Sequence, residues 1–245
     1  MTEQLTSHLR QLNLSGMATA LSSQQEHPGT YAELGFTDRL ALLIDQELLQ
    51  RDQRKQQRLI TQAQLKLAAS VQQIDYAHPR NVERSQIAQL AGGGWLSLAQ
   101  NLLITGPCGS GKTYLACALG HQACLQGHSV RYFRLSRLML ALSQAKADGS
   151  YHKMLKRLDK TALLILDDWG LEPLTAAQRN DLLEIMDDRH GHGSTLVISQ
   201  LPTDQWYGCI GDNTLADAIL DRLMHNAHRL VLKGESMRKT MASVD

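Results

Sequence analysis

No stretch of this chain approaches the roughly 20 consecutive apolar residues that a membrane-spanning helix needs. No charged start runs into an apolar segment of the kind that marks a secretion signal either, so a cytoplasmic protein is expected. The four cysteines, Cys108, Cys117, Cys124 and Cys209, show no CxxC spacing; no zinc site or disulfide framework is read from them, and a reducing compartment leaves them as thiols. Charge of one sign is also missing. With 25 Lys and Arg against 24 Asp and Glu the formal net charge is +1, which argues against a protein that coats nucleic acid nonspecifically. It leaves room for a local basic strip, which acts within a Debye length of roughly 8 Å whatever the total charge. There is neither an internal repeat nor a low-complexity tract. What is present is an ordinary soluble composition, 43% hydrophobic and 20% charged over 245 residues, long enough for one large domain, or one plus an appendage, with a substantial core.

Residues 1 to about 75 are poor in strand formers and rich in Leu, Gln, Ala and charged residues at helical spacing. Helices are expected at 3–22, 36–58 and 59–74, with EHPGT at 26–30 as a break. IDYAHPRN (74–81) reads as a linker, VERSQIAQLA as a helix and AGGGW as a turn, so that 76–100 leads into a second part. From residue 101 short apolar runs alternate with helical patterns. NLLIT (101–105), SVRYFR (129–134), ALLILDD (162–168), STLVIS (194–199) and HRLVLK (228–233) read as strands, separated by helices near 112–126, 135–158, 175–190 and 214–226. That alternation predicts an α/β fold: a mostly parallel five-stranded sheet with helices on both faces, preceded by a small all-helical domain.

The sharpest motif is GPCGSGKT, Gly106 to Thr113, which fits GxxxxGK[ST] and lies between an apolar strand and a helix. Glycines at 106, 109 and 111 let the backbone curl until consecutive N–H groups face a phosphate, and the helix N-terminus adds partial positive charge. The expected ATP-binding set is Gly106, Cys108, Gly109, Ser110, Gly111, Lys112, Thr113 and Tyr114. Lys112 reaches the β- and γ-phosphates, and Thr113 holds Mg²⁺ through its hydroxyl. A P-loop also needs a metal-positioning acid at the end of a neighbouring strand, and LLILDDW supplies Asp167 after a buried-type apolar run. Asp168 is then the candidate to polarise the attacking water, a task that needs a carboxylate in hydrogen-bond reach; the plainer reading is a loop cap. Ser199 and Gln200 end the next strand and are candidate γ-phosphate sensors if that strand lies between the other two. Cys108 is read as a tolerated small residue, and Cys117 and Cys124, seven apart on one helix face, as core. His190 and His192 read as a helix-ending loop, and Trp95, Trp169 and Trp206 as packing residues.

Together with GPCGSGKT and LLILDDWG, the run LPTDQWYGCIGDNTLADAILDRLMHNAHRLVLKGESMRK resembles the IstB-type transposition helper ATPases of bacterial insertion sequences, relatives of the DnaC and DnaA initiators in the AAA+ class. The resemblance covers nearly the whole chain and is most specific from 101 to 240. It implies an ATPase that assembles as an oligomer on double-stranded DNA and delivers that target to, or activates, a partner transposase. It makes 1–75 a DNA-binding domain and 101–245 an AAA+ ATPase domain. Arg222 in LDRL matches the arginine that reaches a neighbouring subunit's γ-phosphate, and Arg238 in GESMR the second sensor arginine. Only about a dozen residues follow the expected last strand, so a full C-terminal lid is not expected, and whether Arg238 acts in its own subunit or across an interface stays open.

The same resemblance bears on RDQRKQQR. On a helix, Arg51, Arg54, Lys55 and Arg58 share an arc of about 100°, continuing a stripe that upstream carries Leu40, Leu43, Ile44 and Leu48. A row of cations with no Asn, Gln or aromatic aimed at a base edge holds phosphates and does not read sequence, so DNA backbone is its expected partner; the alternative is a solvated helix end. Two other functions stay open from sequence: a DnaC-like helicase loader, and a small-molecule P-loop kinase. The DD pair and an arginine placed for a neighbour count against the kinase.

Overall fold

The computed structural model describes residues 2–234 and 236. The chain divides into two compact units, Met1–Arg58 and Leu59–Asp245. The division falls inside a helix and upstream of residue 75, because Leu59, Ala63, Ala69 and Ile74 are buried in the core of the second unit.

The first unit contains α1 (Thr2–Gln11), α2 (Ser15–Glu26) and most of α3 (Phe36–Ala63). The single helix expected over 3–22 is broken at Asn13, whose φ of 60° is left-handed. Asn13 N–H donates to Arg10 O and Leu14 N–H to Leu9 O, the paired bonds of a Schellman ending, which asparagine accepts more readily than most residues. The N-terminus of α2 is then tied to α3 by Glu47. This buried carboxylate accepts N–H bonds from Gly16 at 2.7 Å and Met17 at 3.2 Å, while Arg51 Nε donates to its other oxygen at 2.7 Å. The Arg51 guanidinium, helped by the Met17 and Gly16 N–H groups, holds the Glu47 carboxyl below its usual range although burial opposes it. Gly16 is required here, since a Cβ would lie 2.6 Å from Glu47 Cα and 2.8 Å from Gln46 O.

In the second unit the chain after Ala63 is not helical through 74, as expected, but irregular with one 3₁₀ turn at Val71–Gln73. It leads into α4 (Arg84–Ala91) and α5 (Gly94–Ser97). The order then runs β1 (Asn101–Thr105), α6 (Lys112–Leu125), β2 (Val130–Arg134), α7 (Leu135–Ala147), α8 (Tyr151–Asp159), β3 (Leu163–Trp169), α9 (Ala176–Arg189), β4 (Ser194–Ser199), α10 (Trp206–Ile210), α11 (Asn213–Met224) and β5 (Ala227–Val231). All pairings are parallel, and the order across the sheet is β2-β3-β4-β1-β5.

Alternate residues of each strand face opposite layers. Leu102, Ile104, Ile165, Leu196 and Ile198 pack with α6 and the 59–74 segment; Leu103, Leu164, Leu166 and Val197 pack with α7, α9 and α11. Trp169 and Trp206 are buried in that second layer with ring centroids 5.3 Å apart, and Trp95, Cys117 and Cys124 are buried in the first. A Thr175–Gln178 capping box starts α9 and Asp212 caps α11. Among the described residues no helix is long and apolar enough to cross a membrane.

Candidate active site

Parallel pairing in register brings Thr105, Ser199, Asp167 and Arg134 to one edge of the sheet, where the strands end. β4 lies between β1 and β3, the condition under which the end of β4 faces the gap between P-loop and acid. A cavity of about 550 Å³ opens there, lined by residues of Cys108–Tyr114, by Asp167, Asp168, Ser199 and Gln200, and by Lys66, Gln73, Asp75 and Arg80 from the lead-in. Its size suits a small polar ligand.

The loop Gly106–Gly111 takes the conformation that its glycines permit. Gly106, Gly109 and Gly111 have φ of 147°, 80° and 88°, and a Cβ on Gly106 would lie 2.6 Å from Leu232 O. Lys112 opens α6 and folds back over the loop, donating to Gly106 O and Pro107 O at 2.7 Å each. Burial pulls its ammonium pKa down, partly offset by Cys108, Asp167 and Asp168. Ser110 is fully buried and its hydroxyl has no partner among the described residues, while its carbonyl accepts from the guanidinium of Arg80 at 3.2 Å. Cys108 is exposed at the cavity.

Asp167 is almost wholly buried and its two oxygens have different work. Oδ1 accepts Asp168 N–H at 2.8 Å. Oδ2 accepts the hydroxyls of Thr113 at 2.9 Å and Tyr132 at 2.6 Å, and Lys66 Nζ stands 3.8 Å away. Asp168 has a left-handed φ of 62° at the point where the β3–β4 register slips between Leu166 and Trp169. Such a bulge re-aims side chains, and here it sends Asp168 to the cavity beside Arg134, whose Nε is 3.4 Å from its carboxylate. Ser199 donates its hydroxyl to Trp169 O at 2.8 Å and accepts Leu201 N–H at 3.0 Å; that hydroxyl fastens the ends of β3 and β4, and Gln200, next along the chain, is exposed.

Several lining residues were not visible as such in the sequence. Behind them Tyr132, on the edge strand β2, holds Asp167 through its hydroxyl, and no sequence motif singled it out. Lys66, Gln73, Asp75 and Arg80 fall in stretches that read as helix and linker. Arg80 is nevertheless buried, and also donates to Asp75 O at 2.7 Å.

Arg222 is not at this edge. It lies in the last turn of α11, where its backbone carbonyl accepts Asn101 Nδ2 at 2.9 Å, beside the start of β1. The P-loop follows the other end of that strand, on the order of 15 Å further along. Its guanidinium is paired with Asp187 and donates to Ala218 O. Arg238 lies outside the described residues. In the first unit Arg51, Arg54, Lys55 and Arg58 are all exposed on α3. Arg51 is engaged by Glu47 and Arg54 by the Ser15 hydroxyl at 2.7 Å, whereas Lys55 and Arg58 have no ion pair among the described residues. His192 contacts Asp159 at 2.7 Å in the loop after α9.

Known proteins match both the sequence and this architecture. The chain is 46% identical over 231 residues to an insertion sequence ATP-binding protein, y4pL, of Sinorhizobium fredii, covering 94% of each chain. It is 47% identical over 215 residues to the ATP-binding protein of insertion sequence IS1162 of Pseudomonas fluorescens, covering 87% of this chain and 92% of that one. Among solved structures, the DnaC helicase loader superposes with a TM-score of 0.57 at 23% identity, over 67% of this chain and 97% of that chain. AMPPCP-bound DnaA from Aquifex aeolicus gives 0.60 at 16% identity, over 73% of this chain and 54% of that one; these two likenesses concern the fold, an AAA+ P-loop core. The profile of the IstB-like ATP binding proteins matches residues 7–244, and the chain belongs to that family.

Proposed function

We propose that this protein is an ATPase that assembles on double-stranded DNA and delivers that target to, or activates, the transposase of an insertion sequence. The observation that carries the ATPase reading is the convergence of Thr113 and Asp167, from different elements, at a hydroxyl-to-carboxylate distance of 2.9 Å beside Lys112 in one cavity. Hydroxyl and carboxylate are the hard oxygen donors that suit Mg²⁺, so Thr113 and Asp167 would hold it. The ion, when bound, would neutralise charge on the β- and γ-phosphates.

The chain's own groups would then act as follows. Lys112 leaves the Gly106 and Pro107 carbonyls for phosphate oxygens, a cheap exchange because its ammonium is already desolvated. The backbone N–H groups of the loop residues that line the cavity supply neutral donors. Asp168 orients a water and takes its proton as the water attacks the γ-phosphorus and the bond to the β–γ bridging oxygen breaks, releasing ADP and phosphate, and Arg134 sets where that carboxylate rests beforehand. Gln200, with Ser199 committed to joining β3 and β4, is the polar group at the β4 end that meets the γ-phosphate. Arg222, at the far end of β1 from its own P-loop, is placed to serve a neighbouring subunit. The cationic row on α3 supplies the DNA contact, and family membership supports the insertion-sequence role.

Lys112→Ala tests the nucleotide site. It should lose ATP binding by at least a hundredfold in calorimetry or fluorescent-nucleotide titration, since the cation facing the β/γ charge is gone, and any ATP-dependent assembly on DNA should go with it. Tight ATP binding by this variant would sink the assignment. Partner choice is tested by co-purification, with the transposase of the same element expected and the replicative helicase not.

A further inference from the structure

Lys66 follows the end of α3 by three residues and belongs to no motif, yet its ammonium enters the cavity and stands 3.8 Å from Asp167 Oδ2. Its position is built by the fold. Leu65 packs against Gly120 of α6, where an added Cβ would lie 3.1 Å from Leu65 Cδ2, and backbone N–H groups of Leu67 and Lys66 meet the buried Cys117 thiol one turn into the same helix. The lysine side chain is about two-thirds buried, 32% exposed, so its approach to the acid is not that of a freely solvated surface cation.

The carboxylate oxygen it approaches is the one bound by the Thr113 hydroxyl. An ammonium and a divalent cation cannot both take that oxygen at close range without repelling each other. Lys112 meanwhile is turned onto loop carbonyls, which leaves Lys66 as the one cation, among the described residues, paired with the Asp167 carboxylate. A polyphosphate arriving with its divalent ion removes the reason for Lys66 to face Asp167 and presents new anionic oxygens in the same cavity.

We propose that Lys66 is a phosphate-binding residue of this site. Without nucleotide it stands in for the divalent cation beside Asp167, and with a nucleoside triphosphate it transfers to the phosphate oxygens. The proposal rests on the ATP-binding reading above and adds to it a residue outside the P-loop. It also makes the segment directly after α3 sense the nucleotide.

The experiment uses the full chain with Lys66→Met, which keeps most of the aliphatic stem, with Lys66→Gln as a second uncharged variant and Lys66→Arg as the charge-retaining control. Mn²⁺ binding without nucleotide, read by electron paramagnetic resonance, should tighten several-fold in the Met and Gln variants because a competing cation is gone. ATP binding at saturating Mg²⁺, which occupies the Asp167 site in every variant, should weaken about tenfold, the loss of one charge-assisted hydrogen bond, and Lys66→Arg should recover most of it. Unchanged Mn²⁺ binding together with ATP affinity within twofold of wild type, in a variant that melts normally, would show a purely structural ion pair and overturn the proposal. If the wild-type chain itself does not bind ATP, the underlying reading falls and this one with it, so the two failures are told apart by the protein in which they appear.

Discussion

Asp167 and Asp168 are adjacent in sequence and do opposite things in space. One carboxylate is buried and bound on both oxygens, the other is turned toward the cavity by a left-handed φ of 62° and held by Arg134. A bulge makes the difference, because in a regular strand neighbours point to opposite faces and only one could reach this edge. On the proposed mechanism Asp168→Asn separates binding from chemistry, since asparagine tolerates the left-handed backbone as well as aspartate does. ATP affinity should be kept, turnover should fall by about 10² to 10⁴, the usual worth of a general base, and DNA-bound assemblies should persist. Wild-type phosphate release by this variant would show that Asp168 is only a cap for Arg134.

At the scale of elements, α3 carries a row of four cations that the fold does not use alike. Arg51 and Arg54 help clamp the N-terminus of α2 through Glu47 and Ser15, so neutralising them would disturb packing as well as charge. Lys55 and Arg58 carry no such duty among the described residues, which makes them the cleaner test of the proposed DNA contact. Each phosphate-neutralising cation contributes about −0.9 to the slope of log K against log salt. Lys55→Gln/Arg58→Gln should therefore flatten that slope by about two units while leaving sequence preference alone. An unchanged slope, measured by fluorescence anisotropy across a salt series, would return the row to solvated surface.

At the scale of the whole molecule the proposed mechanism uses both ends of the sheet. The P-loop and acid pair sit where strands finish, and Arg222 sits where β1 begins, paired with Asp187. An arginine donated across an interface can raise hydrolysis by roughly 10³ to 10⁵, and one so far from its own cradle has to be tested in mixtures. Arg222→Ala should bind ATP normally and hydrolyse poorly. Mixed with Lys112→Ala it should regain part of the activity, because one variant keeps an intact pocket and the other an intact arginine, and only under conditions such as added DNA that drive assembly. Loss of ATP affinity in isolated Arg222→Ala, with no rescue on mixing, would mean that the arginine serves its own pocket.

The P-loop, the acid-bearing strand and the five-strand alternation were legible because local rules write them: glycines where φ must be positive, apolar runs where strands are buried on both faces, a helix period between them. The break at Asn13, the end of α3 at Ala63 and the division of the units at Arg58 were not, because helical composition runs smoothly through all three. They are decided by a Schellman ending and by which layer buries Leu59, Ala63, Ala69 and Ile74. The site divides in the same way. Sequence named the residues of contiguous motifs, but Lys66 and Arg80 reach the cavity from a separate segment, Tyr132 holds Asp167 from another strand, and the Ser199 hydroxyl, at the cavity wall, is engaged by Trp169 O. Spacing along a chain determines which groups one element presents; which groups meet across elements is set by strand order and packing, and those exist only once the sheet has formed.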